Sequence, residues 1–162
     1  MKRNISFGLF LAVIVLAFAA CNTRAMITPY FQTASTLIRT SAEGVTDTIT
    51  FQDSLNIGDT VRVGMMCNGY YDCLKTLKVG GDTSKVKTSL AWPDSLSYVL
   101  ASDADPEHGV LSFLPEKTVY AIYTTVTYIP VATGTHQIDI RLTSTAPDSY
   151  NQCSGHFIIA VK

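Results

Sequence analysis

Three carboxylates and an imidazole are crowded into one short segment of the chain. Asp103, Asp105, Glu107 and His108 lie within six consecutive residues. Carboxylate oxygens are the ligands that Ca²⁺ prefers, and a neighbouring histidine adds acid–base capacity near neutral pH. The segment lacks the full ligand series and the glycine of an EF-hand, and Pro106 favours a turn. Two interpretations stay open: a Ca²⁺ loop built on Asp103, Asp105 and Glu107, or a solvated connection.

A second pair of reactive residue types is Cys153 with His156. A catalytic thiol needs a histidine at hydrogen-bond distance and a third group that orients it, and closeness in sequence supplies neither. Gly-x-Ser-x-Gly, glycine-rich phosphate loops and His-Glu-x-x-His are absent from the sequence. We therefore predict no catalytic residues, no cofactor and no enzymatic activity.

Three cysteines, Cys67, Cys73 and Cys153, follow the N-terminal region. Asn68-Gly69 favours a two-residue hairpin turn, whereas a five-residue loop would place Cys67 directly opposite Cys73. The five-residue loop keeps more apolar side chains on one face, and opposed strand residues have the Cα separation of a disulfide. We predict a Cys67–Cys73 disulfide with Cys153 free, and Cys73–Cys153 stays open. The spacing does not match paired zinc cysteines, so no metal site is expected there.

Three aromatic residues are placed near predicted turns. Tyr70 and Tyr71 follow Asn68-Gly69, and Trp92 precedes Pro93. Exposed aromatic rings at loop ends can anchor a protein partner or stack on a sugar ring. Large aromatic side chains can equally fold back over the open end of a small sandwich. Tyr70, Tyr71 and Trp92 are therefore candidate binding residues, with a covering role as the alternative.

The N-terminus has the three parts of an export signal. Lys2 and Arg3 are positive, residues 5–18 are almost wholly apolar, and Ala19-Ala20 are small. About 20 residues are needed for a helix to cross the hydrocarbon core. The segment is therefore too short for a comfortable membrane span, and we expect residues 1–20 to be a signal helix that is removed.

The residues at the end of this segment resemble those of bacterial lipoprotein precursors. Ala19, Ala20 and Cys21 match the cleavage motif of that family, and Phe18 replaces its usual Leu. The resemblance implies a diacylglycerol on the Cys21 sulfur and an acylated (palmitate-type) amine. An ordinary secretory signal is the alternative. The resemblance also implies an outer-membrane lipoprotein facing the periplasm, because no Asp follows Cys21 and no acidic run lies nearby.

The charge balance of the remaining chain argues against nucleic acid as a partner. Lys2 and Arg3, two of the 12 basic residues, lie in the signal. Residues 21–162 therefore contain 10 basic and 13 acidic residues, a net charge of −3. Nucleic acids and anionic lipid headgroups favour clustered Lys and Arg. We expect a membrane contact only through the lipid, and an envelope protein or glycan as the partner.

Apolar residues beyond residue 44 recur with period two, which is typical of half-buried strands. The pattern predicts a tether and an irregular or edge segment over 21–44 and one β domain over 45–162, with a short strand over 98–101. Thr133-Gly134-Thr135-His136 followed by alternating apolar residues resembles the late-strand turn of bacterial immunoglobulin-like modules, with His136 at the aromatic position. We therefore predict an all-β, antiparallel, immunoglobulin-like β-sandwich.

These observations favour a lipid-anchored envelope lipoprotein that works as a binding or accessory module. Two alternatives stay open at this point. One is a glycan hydrolase that uses a pair of Asp or Glu carboxylates across a cleft. The other is a small closed β-barrel that holds an apolar ligand.

Overall fold

The structure is a computed structural model that describes residues 27–162. The predicted signal peptide and the predicted lipidation site, Cys21, lie outside the described residues. Within 27–162, no helix combines the length and the apolar character that a membrane crossing requires.

Ten strands and two short 3₁₀ helices make up the described chain. The helices, Asp94–Val99 and Pro106–His108, both fall in the connection between the sixth and seventh strands. The strands are β1 (Tyr30–Thr33), β2 (Leu37–Thr40), β3 (Thr46–Ile49), β4 (Thr60–Asn68), β5 (Leu74–Gly81), β6 (Val86–Leu90), β7 (Val110–Ser112), β8 (Ala121–Pro130), β9 (Gly134–Ser144) and β10 (Gln152–Val161).

The strands form two antiparallel sheets. The first has the order β3-β2-β4-β8-β6, and β1 also pairs with β4 beyond the end of β2; the second has the order β10-β9-β5-β7. The orders β2-β4-β8-β6 and β10-β9-β5 correspond to the A-B-E-D and G-F-C sheets of immunoglobulin domains. The prediction of an all-β, immunoglobulin-like sandwich is therefore confirmed. The closed-barrel alternative is wrong, because the strands divide between two separate sheets.

Period-two sequences supply the core between the sheets. On β4, Val61, Val63, Met65 and Cys67 are fully buried while the intervening residues are not. Across the sandwich, β9 buries every second residue from His136 to Ser144. Each strand thus contributes one apolar face, and these faces form a single core.

The predicted hairpin between Cys67 and Cys73 is wrong. β4 pairs with β1, β2 and β8, whereas β5 pairs with β7 and β9, so the two strands lie in different sheets. Cys67 and Cys73 therefore do not face each other across a hairpin. All three cysteines of the described chain are unlinked, and the predicted Cys67–Cys73 disulfide is absent.

The first sheet begins earlier in the sequence than predicted. β1 and β2 both pair with the edge of β4 that faces away from β8. Residues 30–40 therefore belong to the first sheet; β1 has the expected edge position, whereas β2 lies between β3 and β4.

The strand predicted over 98–101 is wrong, because Tyr98 and Val99 are the last two residues of the first 3₁₀ helix. Pro93 precedes this helix, and Leu100 makes a single bridge to Phe113 at its end.

Candidate functional site

The loop between β4 and β5 crosses from one sheet to the other at one end of the sandwich. The backbone N–H of Gly69 donates to the carbonyl of Tyr120 over 2.8 Å, and that of Leu74 donates to the carbonyl of Val119 over 2.7 Å. Both acceptors lie just before β8. These two backbone N–H groups thus find their acceptors in the segment that precedes β8, and not in a β4–β5 hairpin. The bonds fix the loop to that segment.

Tyr70, at the tip of this loop, has an unusual backbone conformation. Among residues 27–162 it is the one non-glycine residue in the left-handed region, with φ = 58°. Its N–H donates to Asn68 Oδ1 over 2.6 Å, and a Cβ at Gly69 would lie only 2.2 Å from the carbonyl oxygen of Asp72. The left-handed conformation costs about 1–2 kcal/mol for a side chain other than glycine. Such strain concentrates where a surface has a function to serve.

Four tyrosines meet at this end of the molecule, and we call Tyr30, Tyr70, Tyr71 and Tyr120 the tyrosine end. The Tyr30 and Tyr70 rings have their centroids 5.2 Å apart, at an interplanar angle of 37°. Tyr70, Tyr71 and Tyr120 are 44%, 57% and 45% exposed. A tyrosine has few rotatable bonds and a ring with both an apolar face and a hydroxyl, which suits it to anchor a partner.

A fifth tyrosine extends the aromatic surface onto the outer face of the first sheet. Tyr123 on β8 is 72% exposed and lies opposite Met66 on β4. Its side chain lies over Gly64, because a Cβ there would be 2.1 Å from the Tyr123 hydroxyl. Glycine at position 64 therefore lets the ring rest against the sheet, next to the exposed Met66.

Trp92 has a different role from the two predicted loop tyrosines. It is half-buried and packs edge-on against Phe113, with ring centroids 5.6 Å apart, between the edges of the two sheets. Its Nε1 is buried and has no hydrogen-bond partner. The structure therefore supports the covering role for Trp92, and places Tyr70 and Tyr71 where a partner can reach them.

Truncating Trp92 is expected to destabilise the fold. Trp92→Ala should lower the free energy of unfolding by about 3 kcal/mol, since it leaves a void beside Phe113. Trp92→Phe keeps an aromatic ring against Phe113 and loses the smaller part of the indole together with an N–H that has no partner, so it should retain more of the stability than Trp92→Ala. Urea unfolding of the two variants measures the difference. A Trp92→Ala variant as stable as the parent would contradict the covering role.

The three carboxylates of the predicted Ca²⁺ loop do not gather around one point. Asp105 caps the second 3₁₀ helix: its carboxylate lies 2.8 Å from His108 Nδ1 and accepts the His108 backbone N–H over 3.2 Å. In the part of the chain that the structure describes, no three His, Cys, Asp or Glu side chains are grouped for a metal ion. Asp105 thus bonds within its own loop, and the solvated connection stays a prediction.

The structure brings two of these carboxylates beside Trp92. Asp105 and Glu107 line an open cleft of about 520 Å³ together with Trp92 and Asp94. A glycan hydrolase would need two carboxylates there that are free to act on a sugar. Asp105 is already paired with His108, which leaves Asp94 and Glu107 as the other carboxylates of the cleft. The absence of enzymatic activity stays a prediction.

Cys153 and His156 point to opposite sides of β10. Cys153 is in the inward register opposite Leu142, whereas His156 is exposed opposite Asp139. Burial raises the pKa of the Cys153 thiol, whereas a catalytic cysteine needs a lowered one. The structure therefore does not bring this pair together as a nucleophile and its base.

A comparison with protein-family models finds no match, and a comparison with curated proteins finds none either. Among solved structures, the chain is similar to domains 4 and 5 of the S-layer protein SbsC. The identity is 12% and the TM-score is 0.38, over 82% of this chain and 75% of that chain.

Proposed function

We propose that this protein is a lipid-anchored lipoprotein of the bacterial cell envelope, and that it binds a partner through its tyrosine end. The anchor would be Cys21, on the outer membrane facing the periplasm. The observation that carries the binding role is the strained loop tip, where Tyr70 is held in a left-handed conformation and Tyr71 is exposed beside it. The partner would be an envelope protein, and a glycan is the other candidate.

The position of β1 supports a binding site close to the membrane. β1 begins at Tyr30, which pairs with Asn68 at the tyrosine end. Tyr30 is nine positions after Cys21, and nine residues reach at most about 30 Å when fully extended. A lipid on Cys21 would therefore hold the tyrosine end within about 30 Å of the membrane surface. A partner that binds there would itself be exposed in this membrane-proximal zone.

The charge of the domain supports recognition by aromatic contacts rather than by attraction to lipid headgroups. Residues 21–162 carry a net charge of −3, which repels anionic surfaces. The tyrosine end offers rings and hydroxyls instead, and these groups dominate the energy of many protein interfaces.

Removing the two exposed rings at the loop tip is expected to abolish most of the binding. A Tyr70→Ala/Tyr71→Ala variant should reduce partner capture at least about tenfold, as for the loss of interface anchor residues. The measurement is crosslinking in intact cells followed by mass spectrometry, with a photoreactive amino acid at position 123 in both proteins.

The matched control for this experiment is Tyr98→Ala. Tyr98 is 63% exposed but lies on the first 3₁₀ helix, outside the tyrosine end, with the Lys117 ammonium 5.5 Å from its ring centroid. This variant should capture the partner as the parent does. Equal capture by the double variant and the parent would refute the tyrosine end as the binding surface. Recovery of a glycan in place of a protein would show that the partner is a glycan, and the tyrosine end would remain the binding surface.

A further inference from the structure

Two of the three cysteines in residues 27–162 face each other across the core of the sandwich. Cys67 lies on the inward face of β4 in the first sheet and is fully buried. Cys153 lies on the inward face of β10 in the second sheet and packs against the same core. The third, Cys73, directly precedes β5, and β9 lies between β5 and β10. Strands are spaced about 4.8 Å apart, so Cys73 is roughly two strand widths from Cys153.

Phe31 on β1 is a neighbour of both inward-facing cysteines. It lies directly opposite Cys67 in the β1–β4 ladder, and directly opposed residues have Cα atoms about 4.5–5.5 Å apart. Its ring reaches across to β10, where a Cβ at Gly155 would be only 2.9 Å from the tip of the ring. The backbone of Phe31 is also close enough to the Cys153 thiol to act on its pKa. The register thus places both thiols around one residue.

The two thiols also interact electrostatically. Burial and, to a smaller extent, a negative charge on Cys153 together raise the pKa of the Cys67 thiol to about 12. Burial raises the pKa of the Cys153 thiol as well, whereas the backbone of Phe31 lowers that pKa by a smaller amount.

We propose that Cys67 and Cys153 form a disulfide that links the two sheets, and that Cys73 stays free. The oxidant is a small-molecule or protein disulfide of the compartment. In the cell, bond formation rests on the proposed export, because disulfides persist in oxidising compartments. This pairing replaces the Cys67–Cys73 bridge, for which the two strands lie in different sheets.

The less buried thiol starts the exchange. The Cys153 thiolate attacks one sulfur of the oxidant's disulfide, which forms a mixed disulfide and expels one thiolate. Cys67 then gives up its proton, and its sulfur attacks the Cys153 sulfur and expels the second thiolate. Cys67 and Cys153 together lose two electrons and two protons, and the oxidant gains them as two thiols.

Peptide mapping of the full-length protein tests the pairing. The purified protein is reduced, incubated with glutathione disulfide, alkylated and digested with trypsin and Asp-N. Trypsin alone would leave Cys67 and Cys73 on one peptide that ends at Lys75, whereas Asp-N cuts before Asp72 and separates them. The expected product joins the Cys67 peptide to the Cys153 peptide and contains alkylated Cys73. Cys67 found alkylated, or linked to Cys73, would overturn the proposal.

The same map on protein trapped with N-ethylmaleimide in intact cells separates this proposal from that of export. A Cys67–Cys153 link formed in vitro but absent in cells would count against export and leave the pairing intact. Melting curves give a second readout. Reduction should lower the melting midpoint of the oxidised parent and of Cys73→Ser by roughly 10 °C, and should not move that of Cys153→Ser. A midpoint that reduction leaves unchanged in the parent would contradict a disulfide between the sheets.

Discussion

Replacing Cys21 by Ser is expected to abolish fatty-acid labelling of the protein and to remove it from the detergent-phase membrane fraction. The serine has no sulfur to carry a diacylglycerol, so the precursor should stay uncut or be released. Each buried CH₂ contributes about 0.8 kcal/mol to membrane binding, and a single chain holds a protein only marginally. Loss of the complete anchor should therefore shift almost all of the processed protein to the soluble fraction.

The measurement combines metabolic labelling with radioactive palmitate and intact-mass analysis of the purified protein. The parent should carry the label and the mass of a triacylated Cys21. Cys73→Ser is the matched control, because it removes a different thiol and should leave both readouts unchanged. Label that persists in Cys21→Ser would show that the anchor is elsewhere, and an unmodified Cys21 in the parent would favour an ordinary secretory signal.

Replacing Gly109 by Ala is expected to lower the free energy of unfolding by about 3 kcal/mol or more. Gly109 has φ = 78°, and a Cβ there would lie 2.1 Å from the carbonyl oxygen of Val79. The same glycine accepts the Val79 N–H through its own carbonyl oxygen over 2.8 Å. The clash therefore falls on two backbone segments that are already bonded to each other, and neither can move without breaking that contact.

Gly44→Ala is the control that separates the effect of the backbone conformation on the free energy of unfolding from the effect of the steric clash. Gly44 has φ = 85° but no atom within 4 Å of a Cβ placed there. The Gly44→Ala variant should lose only the free energy that alanine costs in the left-handed conformation, about 1 kcal/mol. Urea unfolding of both variants gives the two values. Equal losses would mean that the Val79 contact relaxes freely, contrary to the expectation for Gly109.

The alternation of apolar residues predicted the strands and their buried faces, and with them the sandwich. Val61, Val63 and Met65 are every second residue and all lie in the core. Period two fixes which face of a strand is buried, because side chains alternate between the two faces. It does not fix which strand is the neighbour.

The failed hairpin shows where local reasoning stops. Asn68-Gly69 is a turn signal, and the chain does turn there, but Leu74 then enters the other sheet. The bonds that decide this outcome join Gly69 and Leu74 to residues about 45–50 positions later. Such contacts are set by packing the whole domain rather than by the residues of the turn.

The candidate site was predictable only in part, for the same reason. Tyr70 and Tyr71 could be assigned to a loop tip from their neighbours. Tyr30 and Tyr120 join them only because β1 and the segment before β8 meet that loop in space. Trp92 looked equivalent in sequence, but it packs on Phe113 against the core, whereas Tyr70 packs on Tyr30 and stays exposed.

The course of β1 and β10 has a mechanical consequence. β1 enters the fold at the end where it pairs with Asn68, and β10 leaves at the opposite end, where Val161 pairs with Gly134. A pulling force between these two points acts along the strands, so the hydrogen bonds that hold β1 and β10 share the load and must fail together. Tension between the two ends would load these strands in shear, in which many hydrogen bonds must break at once, rather than one after another.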